Sequence, residues 1–289
     1  MIQCFVTDKY VSEFQSGLPR LVSASKMDSR YKSAHPRVLH RHDSFLEILY
    51  ARSGSGVYII ENKRYNIAKG DLVINNAGVL HDEDASMNKN LNMYCVTVTN
   101  LHVDGLPFNC LIPDGVSPVF SAGEYRDIIE KLMSMIYFLL VTKQKNFIEA
   151  CTHLMTALIY LLLHLIERNK NKTINNIPTT NKDYIALKVK NYIDSHFDEK
   201  ITLKSISDSI CVSQSYLSHA FKEIAGYSPI QYAIRRRLGE AQSLLSMTAL
   251  SISEIALRLG FDNQSHFHSL FKKYIGMTPG QYRRTYSNL

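Results

Sequence analysis

The sequence contains little cysteine and lacks the short motifs that mark several large enzyme classes. Its five cysteines are spread over 289 residues, and no two of them are spaced as Cys-x-x-Cys. This usage argues against a disulfide framework or a structural zinc site and favours a reducing compartment. Walker loops, Gly-x-Ser-x-Gly, Gly-x-Gly-x-x-Gly and zinc-finger patterns are absent as well, so no motif for phosphate binding or an activated nucleophile is found.

Long hydrophobic runs are missing too. The longest apolar stretch, LMTALIYLLL at 154–163, ends at His164 and falls short of the ~18 residues that a membrane span needs. Asp8, Lys9 and Glu13 interrupt any apolar run near residue 1, which argues against a secretory signal peptide. We therefore expect a cytoplasmic protein without a membrane partner, in which 154–163 forms a buried or subunit-facing helix.

The length and charge of the chain indicate what it can contain and bind. The chain is long enough for two domains that each bury a core of their own. It carries a formal net charge of +7, and its pI is near 9.0. An excess of positive charge favours a polyanionic partner.

Residues 45–100 have the pattern of short β-strands. The segments FLEILY, GVYIIE, KRYNI and DLVIN are rich in β-branched and aromatic residues, as strands are. The turn signals SGSG, ENK, AKGD and NNAG separate them, and SGSG at 53–56 is interpreted as a hairpin turn. Strands this short and evenly spaced predict a sandwich or barrel.

A helical pattern follows the strands. Ser121 and Glu124 have the spacing of a capping box, and we expect a helix from there to about Leu140. A second helix is predicted for about 145–168, so 121–168 would form an antiparallel helical hairpin, a common dimerisation device. The segment NKNKTINNIPTTNK at 169–182 has no apolar periodicity and is predicted to be a flexible linker of roughly 20 Å.

A twelve-residue pattern occurs twice near the C-terminus, as FKEIAGYSPIQY at 221–232 and FKKYIGMTPGQY at 271–282. Upstream of each copy, a short apolar helix, a tight turn and a second helix are predicted. This arrangement is the helix-turn-helix signature, and it places two such units at about 202–226 and 252–276. A further helix at 229–245, roughly 25 Å long at about 1.5 Å per residue, would join them and let their second helices enter successive major grooves.

The second helix of each unit has an apolar face and an opposite polar face at 100° per residue. The polar faces carry small hydrogen-bonding residues, histidines and lysines without a carboxylate, as entry into a major groove requires. An exposed helix face is often simply polar, but two matched copies favour DNA binding. Arg235 and Arg236 on the joining helix are added as candidate phosphate ligands. The full set of predicted DNA-binding residues is Gln214, Ser215, Ser218, His219, Lys222, Arg235, Arg236, Gln264, Ser265, His266, His268, Ser269 and Lys272.

Residues 183–289 resemble the two-fold helix-turn-helix domain of the AraC/XylS family of bacterial transcription regulators. The resemblance is carried by SISEIALRLGFDNQSHFHSLFKKYIGMTPGQYRR and by RLGEAQSLL in the joining helix. It implies a sequence-specific regulator, favoured as an activator, that binds double-stranded promoter DNA and a small-molecule effector. A homodimer is implied too, with RNA polymerase as a partner of an activator. The chain departs from the family in two ways: His219 and Ser269 replace an arginine, and Cys211 stands at a turn position that usually carries glycine.

The β region has a constellation of its own in His40, His42, Glu47 and His81. With Gly54, Gly70 and Gly78 it resembles the two cupin motifs, which implies a cupin-like β-barrel at 1–120. Three imidazoles and a carboxylate suit Fe, Mn, Ni or Zn. The alternatives are a metal-free effector pocket or a cluster satisfied within the protein, and no cofactor is required.

Further pocket companions are Arg52, Tyr58 and Tyr65. The resulting fold prediction is a multidomain α and β chain: the sensing domain at 1–120, the hairpin at 121–168, the linker and a DNA-binding domain at 183–289. One alternative function is a metal-dependent cupin enzyme with an appended DNA-binding domain. Another is an adaptor whose helices contact proteins. We expect no enzyme activity.

Overall fold

A computed structural model gives the architecture of the chain. It describes residues 2–5, 18–28, 38–61, 63–83, 87, 89–169 and 180–286. Most of the predicted linker lies outside the described residues. In the described part, a β region, a helical hairpin and an all-α region follow one another, which confirms the predicted fold class.

The N-terminal region is an antiparallel sheet of eight described strands. Its hydrogen-bonded order is β1-β2-β7-β3-β5-β8, and β4 and β6 pair with the far half of β3. The sheet therefore curls around one of its faces. The strands are β1 Ile2–Phe5, β2 Arg20–Met27, β3 Leu46–Ile60, β4 Lys63–Ala68, β5 Asp71–Asn75, β6 His81–Glu83, β7 Lys89–Thr99 and β8 Val119–Ser121.

The SGSG segment is part of a strand and not a hairpin turn, so that prediction was wrong. FLEILY and GVYIIE form one strand, β3, whose pairing with β7 shifts between Ala51 and Ser55. Gly54 has φ +77°, and a Cβ built on it would overlap the carbonyl of Asn90. The glycine thus permits a bulge that bends β3 and lets it serve both halves of the curled sheet.

The two faces of the sheet have different roles. Residues directly opposite on neighbouring strands project to the same side, so the register assigns each side chain to a face. Before the bulge, even-numbered residues of β3 such as Ile48 and Tyr50 pack, with Val96 of β7, against the helical hairpin. Odd-numbered residues such as Leu49 and Ala51 pack on the inner face, where the sheet curls over them.

The hairpin consists of α1, Arg126–Thr142, and α2, Phe147–Asn169. The predicted capping box at Ser121 and Glu124 was wrong, because Ser121 ends β8 and a 3-10 turn, Gly123–Tyr125, precedes α1. Helix α2 is long and apolar enough to cross a membrane by length and composition alone. Its buried side chains, including Met155 and Leu162, belong to the core shared with the sheet, as in a core helix.

The C-terminal region contains seven described helices. The two predicted helix-turn-helix units and the helix between them are confirmed. The helices are α3 Asn181–His196, α4 Leu203–Ile210, α5 Gln214–Ala225, α6 Pro229–Met247, α7 Ile252–Arg258, α8 Gln264–Ile275 and α9 Pro279–Tyr286.

Helix caps account for many of these boundaries. Ser228 and Ser251 form capping boxes at the starts of α6 and α7, which satisfy backbone donors that the helix leaves unpaired. The turns of the two units differ as expected from their sequences. Cys211 has φ 55° and Gly260 has φ 70°, so Cys211 occupies a left-handed position that costs a non-glycine residue ~1 kcal/mol.

Candidate DNA-binding face and candidate effector site

Helices α5 and α8 present matched faces to solvent. Their inner sides are buried through Leu217 and Phe221 in α5 and through Phe267 and Phe271 in α8. The opposite sides carry the polar residues predicted to read DNA. Ser218 and His268 are half-buried, and the other nine are exposed, namely Gln214, Ser215, His219, Lys222, Gln264, Ser265, His266, Ser269 and Lys272.

The outer face of α8 is partly pre-ordered by its own side chains. Ser253 of α7 donates to Gln264 Oε1 over 3.1 Å, and Gln264 Nε2 lies 3.4 Å from His268 Nε2. Asn263 caps the helix by accepting from the backbone N–H of His266. These contacts restrict the rotamers of two candidate base-contacting residues, which lowers the entropy that they lose on binding.

Arg235 and Arg236 are not available as phosphate ligands, so that prediction is corrected. Arg235 forms an ion pair with Asp82 of the N-terminal region. Arg236 is 1% exposed, donates to Glu240 over 3.0 Å and stacks over Phe197. The joining helix α6 lies at the centre of the C-terminal region, and its arginines are used for internal pairing.

Four sequence-predicted residues meet at one end of the inner face of the sheet. The candidate ligand atoms of His40, His42, Glu47 and His81 all lie within 4.8 Å of one another, and all four residues are buried. His81 Nε2 is 3.0 Å from one carboxylate oxygen of Glu47, and His42 Nε2 is 3.5 Å from the other. This cluster, from here on the HHEH cluster, is the candidate effector site.

Backbone pairing brings the histidines together. His40 and His81 form an isolated antiparallel bridge, with N–O distances of 3.0 and 2.9 Å. Their rings lie 4.2 Å apart, and the ring of His42 stacks on Phe45. The cluster is therefore fixed by strand geometry and ring packing on both sides of the carboxylate.

The ring orientations decide which nitrogens face Glu47. His40 Nδ1 and His81 Nδ1 each lie 2.9 Å from a backbone carbonyl, that of Val38 and that of Val79. A carbonyl oxygen only accepts, so both Nδ1 atoms carry a hydrogen. The Nε2 atom of each ring therefore faces the cluster and is free of the backbone, so that it can contact Glu47 or a bound ligand.

This donor set fits a divalent transition metal ion. Imidazole nitrogen and carboxylate oxygen are the ligands that Zn, Fe, Ni and Mn take in proteins. Histidine ligands usually donate their second ring N–H to a backbone carbonyl or carboxylate, as His40 and His81 do. The geometry is equally able to hold a polar small molecule by hydrogen bonds.

Two further polar residues belong to this site and were missed from the sequence. Asn75 and Thr97 lie directly opposite Glu47 on the two neighbouring strands. Asn75 is 1% exposed, and its amide has no hydrogen-bond partner among the described residues. Its position next to Glu47 depends on strand register, which no local sequence signal revealed.

The three predicted companions separate in the structure. Arg52 packs over the ring of Tyr94 on the hairpin side of the sheet, so its assignment to the pocket was wrong. Tyr58 and Tyr65 are paired on the inner face. Burial, and then the nearby carboxylates of Glu83 and Glu47, raise the pKa of Tyr58 well above its ordinary value, so its hydroxyl stays protonated.

Comparisons with known proteins match both regions of the chain. Residues 206–285 match a helix-turn-helix domain model, and residues 29–158 match the model described as AraC-like ligand binding domain. The HTH-type transcriptional regulator YdiP of Escherichia coli K12 is 30% identical over 262 residues, covering 90% of this chain and 84% of YdiP.

Two further similarities are weaker. The HTH-type transcriptional activator RhaS of Escherichia coli O6:H1 is 23% identical over 253 residues, covering 85% of this chain and 87% of RhaS. The C-terminal domain of the response regulator AraT from Geobacillus stearothermophilus is 38% identical, covers 38% of this chain and 92% of its own, and has a TM-score of 0.37. The present chain is similar to YdiP over most of both lengths and matches two domain models. It therefore belongs to the AraC family of transcription regulators, with a ligand-binding domain followed by a DNA-binding helix-turn-helix domain.

Proposed function

We propose that this regulator reads two adjacent DNA segments with α5 and α8 and responds to a small ligand in the HHEH cluster. The observation that carries the proposal is the matched pair of exposed polar faces on α5 and α8. A helix of 19 residues, α6, connects them. At 1.5 Å per residue it is about 28 Å long, comparable to the ~34 Å between successive major grooves on one side of DNA.

The residues of each face divide into two roles. Ser215 and His219 in α5, with Gln264 and Ser265 in α8, supply donors and acceptors for base edges. Lys222 and Lys272 follow in the later turns and suit phosphate contacts, which orient the protein without reading sequence. Neither α5 nor α8 contains an arginine. We therefore expect discrimination between DNA sequences to rest on hydrogen bonds of Ser, Gln and His and on DNA shape.

The DNA-binding prediction is tested by selecting bound fragments from sheared source DNA with the purified full-length protein. We expect a motif of two blocks centred ~10 bp apart. On that site, Lys222→Ala or Lys272→Ala lowers the slope of log K against log salt by about one unit. Ser215→Ala combined with His219→Ala instead reduces the affinity ratio between the selected site and random DNA.

Lys188→Ala is the matched control for charge. Lys188 is exposed on α3, outside the two reading helices, and stacks on Tyr184, so we expect its replacement to leave the salt slope unchanged. Equal effects of the lysine and the Ser215/His219 variants on specificity would refute the division of roles. Absence of any selected motif would refute the regulator's proposed mode of DNA reading.

The HHEH cluster is proposed to hold the effector, with a divalent metal ion as the ligand that its donor set suits. His40, His42, Glu47 and His81 would hold the ion. Bound there, the metal would supply a positive charge that satisfies the buried carboxylate. The amide of Asn75 lies beside Glu47 and suits a hydrogen bond to a polar group of a small molecule bound next to the cluster. A metal-free small molecule contacting these same residues is the second ligand class.

We expect the purified protein to bind about one Zn²⁺ or Ni²⁺ ion per chain in a calorimetric titration. Glu47→Gln and His81→Gln should each weaken this binding by more than about tenfold, since even outer-shell changes cost 10–100-fold. His102→Gln removes an exposed histidine elsewhere and should have no effect. No binding by the wild-type protein would exclude the metal and leave the metal-free ligand.

We propose that the hairpin pairs two copies of the chain. Ile128, Met135 and Phe138 share one face of α1 and are each at least half exposed, while Tyr160 of α2 is 70% exposed. Exposed apolar side chains grouped on one surface of the hairpin favour a protein partner. A homodimer would present two DNA-binding domains to one promoter, which increases avidity without new contacts.

Replacing Phe138 by Asp should convert a dimer into a monomer in sedimentation experiments. A carboxylate in an apolar interface is costly to desolvate. Leu257→Asp is the matched control, since Leu257 is 78% exposed but lies on α7 in the DNA-binding region. A monomeric wild-type protein, or equal effects of both substitutions, would contradict this assignment.

The names of the relatives support further proposals about the role of this chain. They are named as transcriptional regulators, and RhaS as an activator, so we propose activation, contact with RNA polymerase, a cytoplasmic location and no catalytic activity for this chain.

A further inference from the structure

The two segments that pair at the His40–His81 bridge also touch the DNA-binding region. Side chains of an extended segment alternate between its two sides. At the bridge between His40 and His81, both rings point into the cluster, while the neighbouring Leu39, Leu80 and Asp82 are buried toward the C-terminal helices. One layer of polypeptide therefore separates the candidate effector site from the DNA-binding domain.

One face of helix α6 contacts these residues and their neighbour Val38. Arg235, Gly239 and Gln242 are spaced four and three residues apart, which places them on one face of the helix. Arg235 pairs with Asp82, and Gln242 accepts a 3.2 Å hydrogen bond from the backbone N–H of Val38. A Cβ built on Gly239 would overlap the carbonyl oxygen of Leu39. Glycine at 239 is thus required for the approach of the two backbones.

A second set of contacts supports the same docking. Lys190 of α3 forms ion pairs with Glu61 at 2.8 Å and with Asp194 at 3.0 Å. Glu61 also accepts from the backbone N–H of Leu80 over 3.1 Å. This links α3 to the residue that directly precedes His81, so both histidine-bearing segments are held from the DNA-binding side.

Neighbouring residues of one segment enter the cores of different helix-turn-helix units. Leu39 packs in the cluster that contains Leu217 and Phe221 of the first unit. Val38 packs in the cluster that contains Phe267 and Phe271 of the second. The segment 38–40 therefore contacts both units at once, and its third residue is a member of the HHEH cluster.

We propose that segment 38–40 is the coupling element of this regulator, and that occupancy of the HHEH cluster adjusts the relative placement of the two helix-turn-helix units through its docking on α6. This inference rests on the proposed function of the cluster as the effector site. The docked arrangement leaves the outer faces of α5 and α8 exposed. Regulation therefore acts on the relative orientation of the two reading helices and does not cover them.

Gly239→Ala tests the coupling selectively. Alanine favours the helix, and the atoms that crowd its Cβ belong to Leu39 and His40, so the substitution disrupts docking and spares the helix. Gly280→Ala is the matched control: it makes the same change in α9, where the nearest atom, Cδ1 of Ile252, lies at an ordinary 3.7 Å. Both variants are made in the full-length chain.

The measurement is hydrogen exchange of the backbone amides of 235–242, with Zn²⁺ as the probe. We expect Zn²⁺ to slow this exchange at least about fivefold in the wild-type and Gly280→Ala proteins, the lower range of measured couplings. In Gly239→Ala the change should be less than about twofold, although Zn²⁺ still binds by calorimetry. If the wild-type protein does not bind Zn²⁺, the cluster is perturbed instead by Glu47→Gln, introduced into the wild-type, Gly239→Ala and Gly280→Ala proteins. Amide exchange at 93–98 then shows whether the sheet stays folded.

The outcomes separate the coupling from the proposed function. An exchange response of equal size in Gly239→Ala and Gly280→Ala, or no response in the wild-type protein to either perturbation, overturns the coupling. DNA affinity on the selected site is measured in parallel. If the wild-type protein does not bind DNA, the proposed mode of DNA reading is rejected. The coupling is then decided by the exchange measurement alone.

Discussion

The alternation of side chains about the His40–His81 bridge is the constraint on which the rest of the molecule depends. An extended backbone must send neighbouring side chains to opposite sides, and here one side is the HHEH cluster and the other is the docking face for α6. The two sites share a peptide segment and need no chain of intermediate residues between them. Energetic coupling over so short a path requires only that the bridge has more than one stable arrangement.

The central position of α6 explains why its three arginines are paired within the protein. Arg235 pairs with Asp82, Arg236 with Glu240, and Arg237 donates to the carbonyls of Phe197 and Glu199. Arg235 and Arg237 join α6 to other elements, whereas Arg236 pairs within α6 and stacks over Phe197, which follows α3. In the proposed mode of DNA binding, electrostatic attraction would come from the lysines of α5 and α8 and from the overall positive charge of the chain.

Most features governed by local rules were predicted from the sequence, except the capping box at Ser121, and the other failures lie where distant segments meet. The two helix-turn-helix units and the turn position of Cys211 depend on neighbours a few residues away, and both are present. Ser-Gly-Ser-Gly was predicted as a turn because a bulge and a turn use the same residues. Arg52 was assigned to the wrong face and Asn75 was missed, because the face of a strand residue depends on register with strands far away in sequence.

The docked arrangement also determines how a ligand can act. A ligand shifts an equilibrium only by its difference in affinity for the two states. An ion or molecule that contacts Glu47 together with His40 and His81 joins both sides of the bridge, and so favours the arrangement in which that bridge is intact. Because Val38 and Leu39 leave the same segment to enter the cores of the two helix-turn-helix units, stabilising the bridge also fixes those units relative to each other. DNA with two grooves at a set spacing favours that same fixed arrangement, so ligand and DNA should strengthen each other's binding by equal factors.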